Sequence, residues 1–132
     1  AFLEQVELSD KANVKIKKLS GGQQQKIQLG VAIMGHPKLL ILDEPTKGLD
    51  PVNRKLLLGI VDDLQQKGTA VIYITHLMEE VERLADRILI LKDGKARAYG
   101  TVSEVKKEFN STSIEDIFVQ IYREKSAEVA HV

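Results

Sequence analysis

Two runs of four aliphatic residues, Leu39–Leu42 and Ile88–Leu91, stand among segments whose apolar positions follow helical spacing. Ahead of the first run, Ile27, Val31 and Met34 recur behind a Ser20-x-x-Gln23 capping box, which predicts a helix from about Gly21 to Met34 ended by Gly35 and Pro37. Leu39–Leu42 is continuously apolar, the pattern of a strand covered on both faces of a parallel sheet. Asp50-Pro51 then supplies an N-cap and an N1 proline, and Val52, Leu56, Leu57, Ile60, Val61 and Leu64 share one face up to Lys67-Gly68. Thr69–Thr75 holds a second β-rich run, Ala70–Ile74, and Met78, Val81, Leu84 and Ala85 mark a short helix. Ile88–Leu91 is a third strand, Asp93-Gly94 a two-residue hairpin turn, and Lys95–Tyr99 the returning strand. Beyond Gly100 two more helices are expected, the second capped by Ser113 with Ile114, Ile117, Phe118 and Ile121 on one face. The lead Glu4–Lys18 reads as a helical turn or two with a loop, and the last ten residues as frayed. Strands alternating with helices make the fold class α/β, a mostly parallel sheet with flanking helices.

Composition narrows the function. At 132 residues the chain has the size of one domain at most. Nineteen acidic and nineteen basic residues cancel, which argues against an electrostatic grip on nucleic acid or on an anionic membrane. Aromatics at 5% offer little for base stacking, and the absence of cysteine excludes disulfides and thiolate metal sites. No apolar run approaches the roughly 20 residues needed to span a bilayer, so a membrane role has to come through a partner.

Three places carry chemistry. Gly21 and Gly22 open a helix without side chains, so a phosphate can approach the free N–H groups of its first turn; the same residues are equally a capping box after a glycine loop. Asp43 follows the aliphatic run at the carboxyl end of its strand, where it can serve a Mg²⁺ ion, and Glu44 beside it can polarise an attacking water. An acidic pair after a strand also serves as an ordinary loop start. His76 follows the second strand, at the same sheet edge as Asp43 if the strands are parallel, within reach of a γ-phosphate or simply as a loop residue. His36 and His131 have no such setting and read as turn and tail residues. A G-x-x-x-x-G-K-[ST] phosphate loop is missing from the sequence.

Taken in order, these segments resemble the ATP-binding cassette (ABC) ATPases. Leu19–Gln25, "LSGGQQQ", is similar to the family's signature, Leu39–Glu44, "LLILDE", to its Walker B strand with the adjoining glutamate, Gly48–Pro51, "GLDP", to its D-loop, and Ile74–His76, "ITH", to its switch histidine. The resemblance implies a partial P-loop NTPase core plus the signature helix of the helical subdomain. Within it, Ser20, Gly21, Gly22 and Gln23 contact the γ-phosphate held by an opposing subunit, Asp43 serves Mg²⁺, Glu44 the water, Asp50 the cross-dimer contact and His76 the γ-phosphate. Lys26 stands where transport cassettes usually carry arginine, which keeps the charge and loses the planar fork. The Walker A loop, the adenine-stacking aromatic and the Q-loop glutamine are missing from the sequence, and the start at Ala1-Phe2-Leu3 reads as though an N-terminal half were cut away.

On this resemblance, residues 1–36 are the end of the helical subdomain, 37–100 the core from Walker B to the switch histidine, and 101–132 the C-terminal helices. The expected cofactors are ATP and Mg²⁺. The expected partners are a second nucleotide-binding domain in a sandwich dimer and a transmembrane permease at whose cytoplasmic face the protein lies, with no nucleic acid. The parent protein is expected to hydrolyse ATP for transport, of exporter type by the tail "SIEDIF". The chain by itself is expected to be inactive, with an exposed apolar edge and poor solubility. Two rival readings are a non-transport ABC ATPase acting on ribosomes or DNA and a degenerate, non-catalytic interaction module.

Overall fold

In the computed structural model, which describes residues 2–124, β1 (Leu39–Asp43) and β2 (Ala70–Ile74) pair in parallel from Leu39 opposite Ala70 to Asp43 opposite Ile74. The connection between them carries α3 (Pro51–Gln66), the helical crossover that parallel pairing requires. Asp50 caps α3 and Pro51 occupies its first turn, as the Asp-Pro pair predicts. The chain divides at the His76–Leu77 bond into two units, described separately below.

Ahead of β1, the first unit contains α1 (Phe2–Gln5), single 3₁₀ turns at Ser9–Lys11 and Ile16–Lys18, and α2 (Gly21–Ile33). The helix α2 has the predicted span but not the predicted face. It buries Lys26, Leu29 and Gly30, whereas Val31 and Met34 are 62% and 68% exposed. The cause is the lead segment. The Lys26 ammonium donates to the carbonyl of fully buried Val6 at 3.0 Å, and the Phe2 ring lies so close to Gly30 that a Cβ there would come within 2.2 Å of it. An aliphatic stripe read from spacing yields to a lysine with a buried carbonyl to satisfy. In α3 the buried stripe is Leu57, Leu58 and Val61; Val52, which falls roughly 140° around the helix from Leu57, is exposed.

The strand β1 also departs from expectation. Leu40 and Leu42 are buried, but Leu39 and Ile41 on the other face are 52% and 60% exposed, beside Ile72 and Ile74 of β2. Only one side of this two-stranded sheet is covered by the described residues, so the expected apolar edge is a whole apolar face.

The second unit holds α4 (Met78–Leu84), β3 (Arg87–Lys92), β4 (Lys95–Thr101), α5 (Val102–Glu108) and α6 (Ile114–Arg123). Strand β3 pairs antiparallel with β4 through the Asp93-Gly94 turn, both residues at positive φ, and its pairing among the described residues is confined to that hairpin. Among the described residues one pairing is thus parallel and one antiparallel, the latter being the hairpin expected at Asp93-Gly94, since a two-residue turn can join only antiparallel strands. Ile88, Ile90, Ala98, Val105, Ile114, Ile117 and Ile121 form its core, matching the face predicted for the last helix. Ser113 caps α6, and Glu82 accepts from the Ile114 N–H at 3.0 Å and from Lys106 at 2.9 Å. Lys92 donates to the Ile121 carbonyl at 2.9 Å, closing the far end of α6. His131 and most of the expected frayed tail lie outside the described residues.

Candidate functional site

The capping box predicted at the start of α2 is formed. Ser20 Oγ accepts from the Gln23 N–H at 3.2 Å while Gln23 Oε1 accepts from the Ser20 N–H at 3.0 Å. That leaves Gly21 and Gly22 as the first-turn residues whose N–H groups have no intrahelical acceptor. Gly21 is exposed with open space around it, whereas a Cβ on Gly22 would sit 3.0 Å from Leu49 Cδ2. Gly48, at φ +76°, turns the loop so that Leu49 can reach this position. Between the two segments lies an open concavity of about 540 Å³ lined by Ser20–Gln23, Lys26, Gly48–Asp50, Asn53, Glu7 and Leu8. The helix start favours an anion there by about 0.3–1 kcal/mol, enough to orient a phosphate and too little to hold a nucleotide.

Asp50, also on this rim, is occupied by its own helix. Its Oδ1 accepts from the Val52 and Asn53 N–H groups, each at 3.0 Å, and its Oδ2 from the Asn53 amide. These bonds, those from Asn53 foremost, hold its carboxyl below the usual carboxylate range.

The acidic pair lies elsewhere in the same unit, at the carboxyl ends of the parallel strands. Asp43 ends β1 with its side chain exposed. Glu44 follows at φ +44°, in the left-handed region that costs a non-glycine residue about 1–2 kcal/mol, with its N–H donating to the Ile74 carbonyl at 2.8 Å. This turn swings its carboxylate toward the end of β2, where Oε1 lies 2.8 Å from His76 Nδ1 and Oε2 lies 3.4 Å from Lys47 Nζ. The imidazole first and the ammonium second keep the Glu44 carboxyl below its ordinary range, so it is ionised at neutral pH. An ionised, half-exposed carboxylate held by a histidine is able to take a proton from a bound water. No group of three or more His, Asp or Glu side chains among the described residues forms a preassembled metal site. Mg²⁺ needs none, since it keeps several waters and binds through one or two carboxylates together with phosphate oxygens, and Asp43 fits that role.

These observations place the eight candidate residues in two groups: Ser20, Gly21, Gly22, Gln23 and Asp50 at the concavity, and Asp43, Glu44 and His76 at the strand ends. Pattern reading missed Lys47, whose one signal is its position three residues after Glu44, and Gln25, which nothing separates from the neighbouring glutamines.

The family model described as ABC transporter matches residues 1–47. An uncharacterized ABC transporter ATP-binding protein of Methanocaldococcus jannaschii is 45% identical over 104 residues, 79% of this chain and 40% of that protein. The chain belongs to the ABC transporter ATP-binding family. The linearmycin resistance ATP-binding protein LnrL of Bacillus subtilis is 44% identical over 112 residues, 85% of this chain and 36% of that relative. Among solved ABC structures, the ATP-binding subunit of an ABC transporter superposes with a TM-score of 0.85 at 28% identity, over 92% of this chain and 52% of that one. The chain thus spans about 40% of the length of the first of these relatives and about half of the solved ABC subunit. Among the described residues no helix is long and apolar enough to cross a membrane.

Proposed function

We propose that the protein carrying this chain binds and hydrolyses ATP to energise transport across a membrane as part of an ABC transporter. The observation that carries this reading is the convergence of Asp43, Glu44 and His76 on one end of the β1–β2 pair in a chain of this family. In the proposed arrangement Asp43 helps hold Mg²⁺, which neutralises phosphate charge when bound. Glu44 takes the proton from the attacking water, and His76 orients Glu44 and reaches the γ-phosphate. Ser20, Gly21, Gly22 and Gln23 meet the γ-phosphate of the nucleotide held by a second ABC domain, and Asp50 makes the contact across that dimer. The segments 1–36, 37–100 and 101–132 serve as signature subdomain, catalytic core and C-terminal helices.

A transmembrane permease is the second proposed partner, placing the protein at the cytoplasmic face of a membrane. An export direction is supported by the tail from Ser113 to Phe118 and by the relative named for linearmycin resistance. In the full-length protein, Glu44→Gln is expected to lower ATP hydrolysis by about 10²–10⁴-fold while nucleotide still binds. Retained turnover removes Glu44 from the role of base and the reading with it.

A further inference from the structure

The two groups of candidate residues are joined by one side chain that belongs to neither. Gln25 sits in the second turn of α2, half-buried, and its amide nitrogen donates to the backbone carbonyl of Glu44 at 3.3 Å and to that of Pro45. The same carbonyl of Glu44 accepts the Lys47 N–H at 3.1 Å, so the amide of Gln25 closes a loop whose backbone is already strained at Glu44. At the opposite end of the loop, Leu49 lies against Gly22. The first two turns of α2 are therefore fastened to the β1–α3 loop twice, once by hydrogen bonds and once by contact without a side chain between.

We infer that Gln25 is a positioning residue that ties the Ser20–Gly22 donors to the backbone carrying Glu44, so that movement of one displaces the other. The inference rests on the proposed function, in which the two ends of this link face different nucleotides across a dimer. Seating a γ-phosphate on the helix start then moves the base of the neighbouring site through the Gln25 amide, which spans about twenty residues of sequence. An amide suits this role because its two donors can follow two adjacent carbonyls. A displacement of even about 1 Å in a base costs rate far more than it costs binding, so the signature of the link is in kcat.

The test uses the full-length protein. Gln25→Met keeps the length and volume of the side chain and removes the donor; Gln25→Asn keeps the amide one methylene short; Gln25→Lys keeps a donor that can reach. Met and Asn are expected to lower kcat for ATP about tenfold with KM within about twofold, and Lys to recover most of the wild-type kcat. Wild-type kcat in Met and Asn overturns the inference, as does a KM that rises in step with falling kcat. A Lys variant as impaired as Met overturns it too, because that assigns Gln25 to packing. Glu44→Gln assayed in parallel separates the two claims. If Glu44→Gln stays active the proposed function fails, and if it is inactive while Gln25→Met runs at the wild-type rate only the link fails.

Discussion

His76 Nδ1 and Glu44 Oε1 lie 2.8 Å apart although 32 residues separate them, because parallel pairing of β1 and β2 brings both strand ends to one edge. Removing the imidazole leaves Glu44 with Lys47 as its remaining ionic partner among these contacts, on the far oxygen. In the full-length protein, His76→Ala is expected to lower kcat by about 10²-fold while nucleotide affinity, read by equilibrium binding, changes much less. An unchanged kcat places His76 outside the reaction.

Lys26 is 6% exposed and spends its charge on the carbonyl of Val6. Lys26→Met keeps the stem and leaves that carbonyl without the bond, so urea unfolding is expected to show a loss of about 1–3 kcal/mol. A neutral result means that water reaches Val6 as soon as the ammonium is gone.

Gly30 and Phe2 make a sterically exclusive pair. Gly30→Ala is expected to destabilise the first unit by about 1–3 kcal/mol, the range for overpacking, despite the better helix propensity of alanine. Combining it with Phe2→Ala should return part of that loss, and a double-mutant cycle with no coupling sinks the pairing.

Glu82 contributes to the pH dependence of the second unit, as does Glu104, whose carboxyl is also held low by the Thr101 N–H. The Ile114 N–H, and after it Lys106, hold the Glu82 carboxyl below the ordinary value. A depressed folded-state pKa contributes stability that is complete above the unfolded value near about 4.3 and is lost as pH falls through the folded one. The urea midpoint should therefore drop with acidification below about pH 4.5, and Glu82→Gln should shrink that drop. Equal acid sensitivity in the variant assigns the effect to other carboxylates.

Local punctuation was the readable part of this fold. Asp50-Pro51, Asp93-Gly94 and Ser113 each define a start or turn by their own backbone chemistry, and the helices and hairpin they predict are present. The face of α2 could not be read, because Lys26 is inside only by virtue of a carbonyl some twenty residues away. The open side of β1 was illegible for a similar reason: four aliphatic residues in a row describe a strand that wants two covered faces, and the described residues supply one. At the site, strand-end positions placed Asp43, Glu44 and His76 together. The partners that hold Glu44, Lys47 by its charge and Gln25 by its grip on the main chain, depend on the course of a loop that spacing does not encode.

If Glu44 acts as the proposed base, its left-handed backbone sets folding and chemistry against each other at one residue. Glycine is the amino acid that such a dihedral angle suits, so Glu44→Gly would relieve the backbone and forfeit the contacts to His76 and Lys47, and on the proposed function it would give up the base as well.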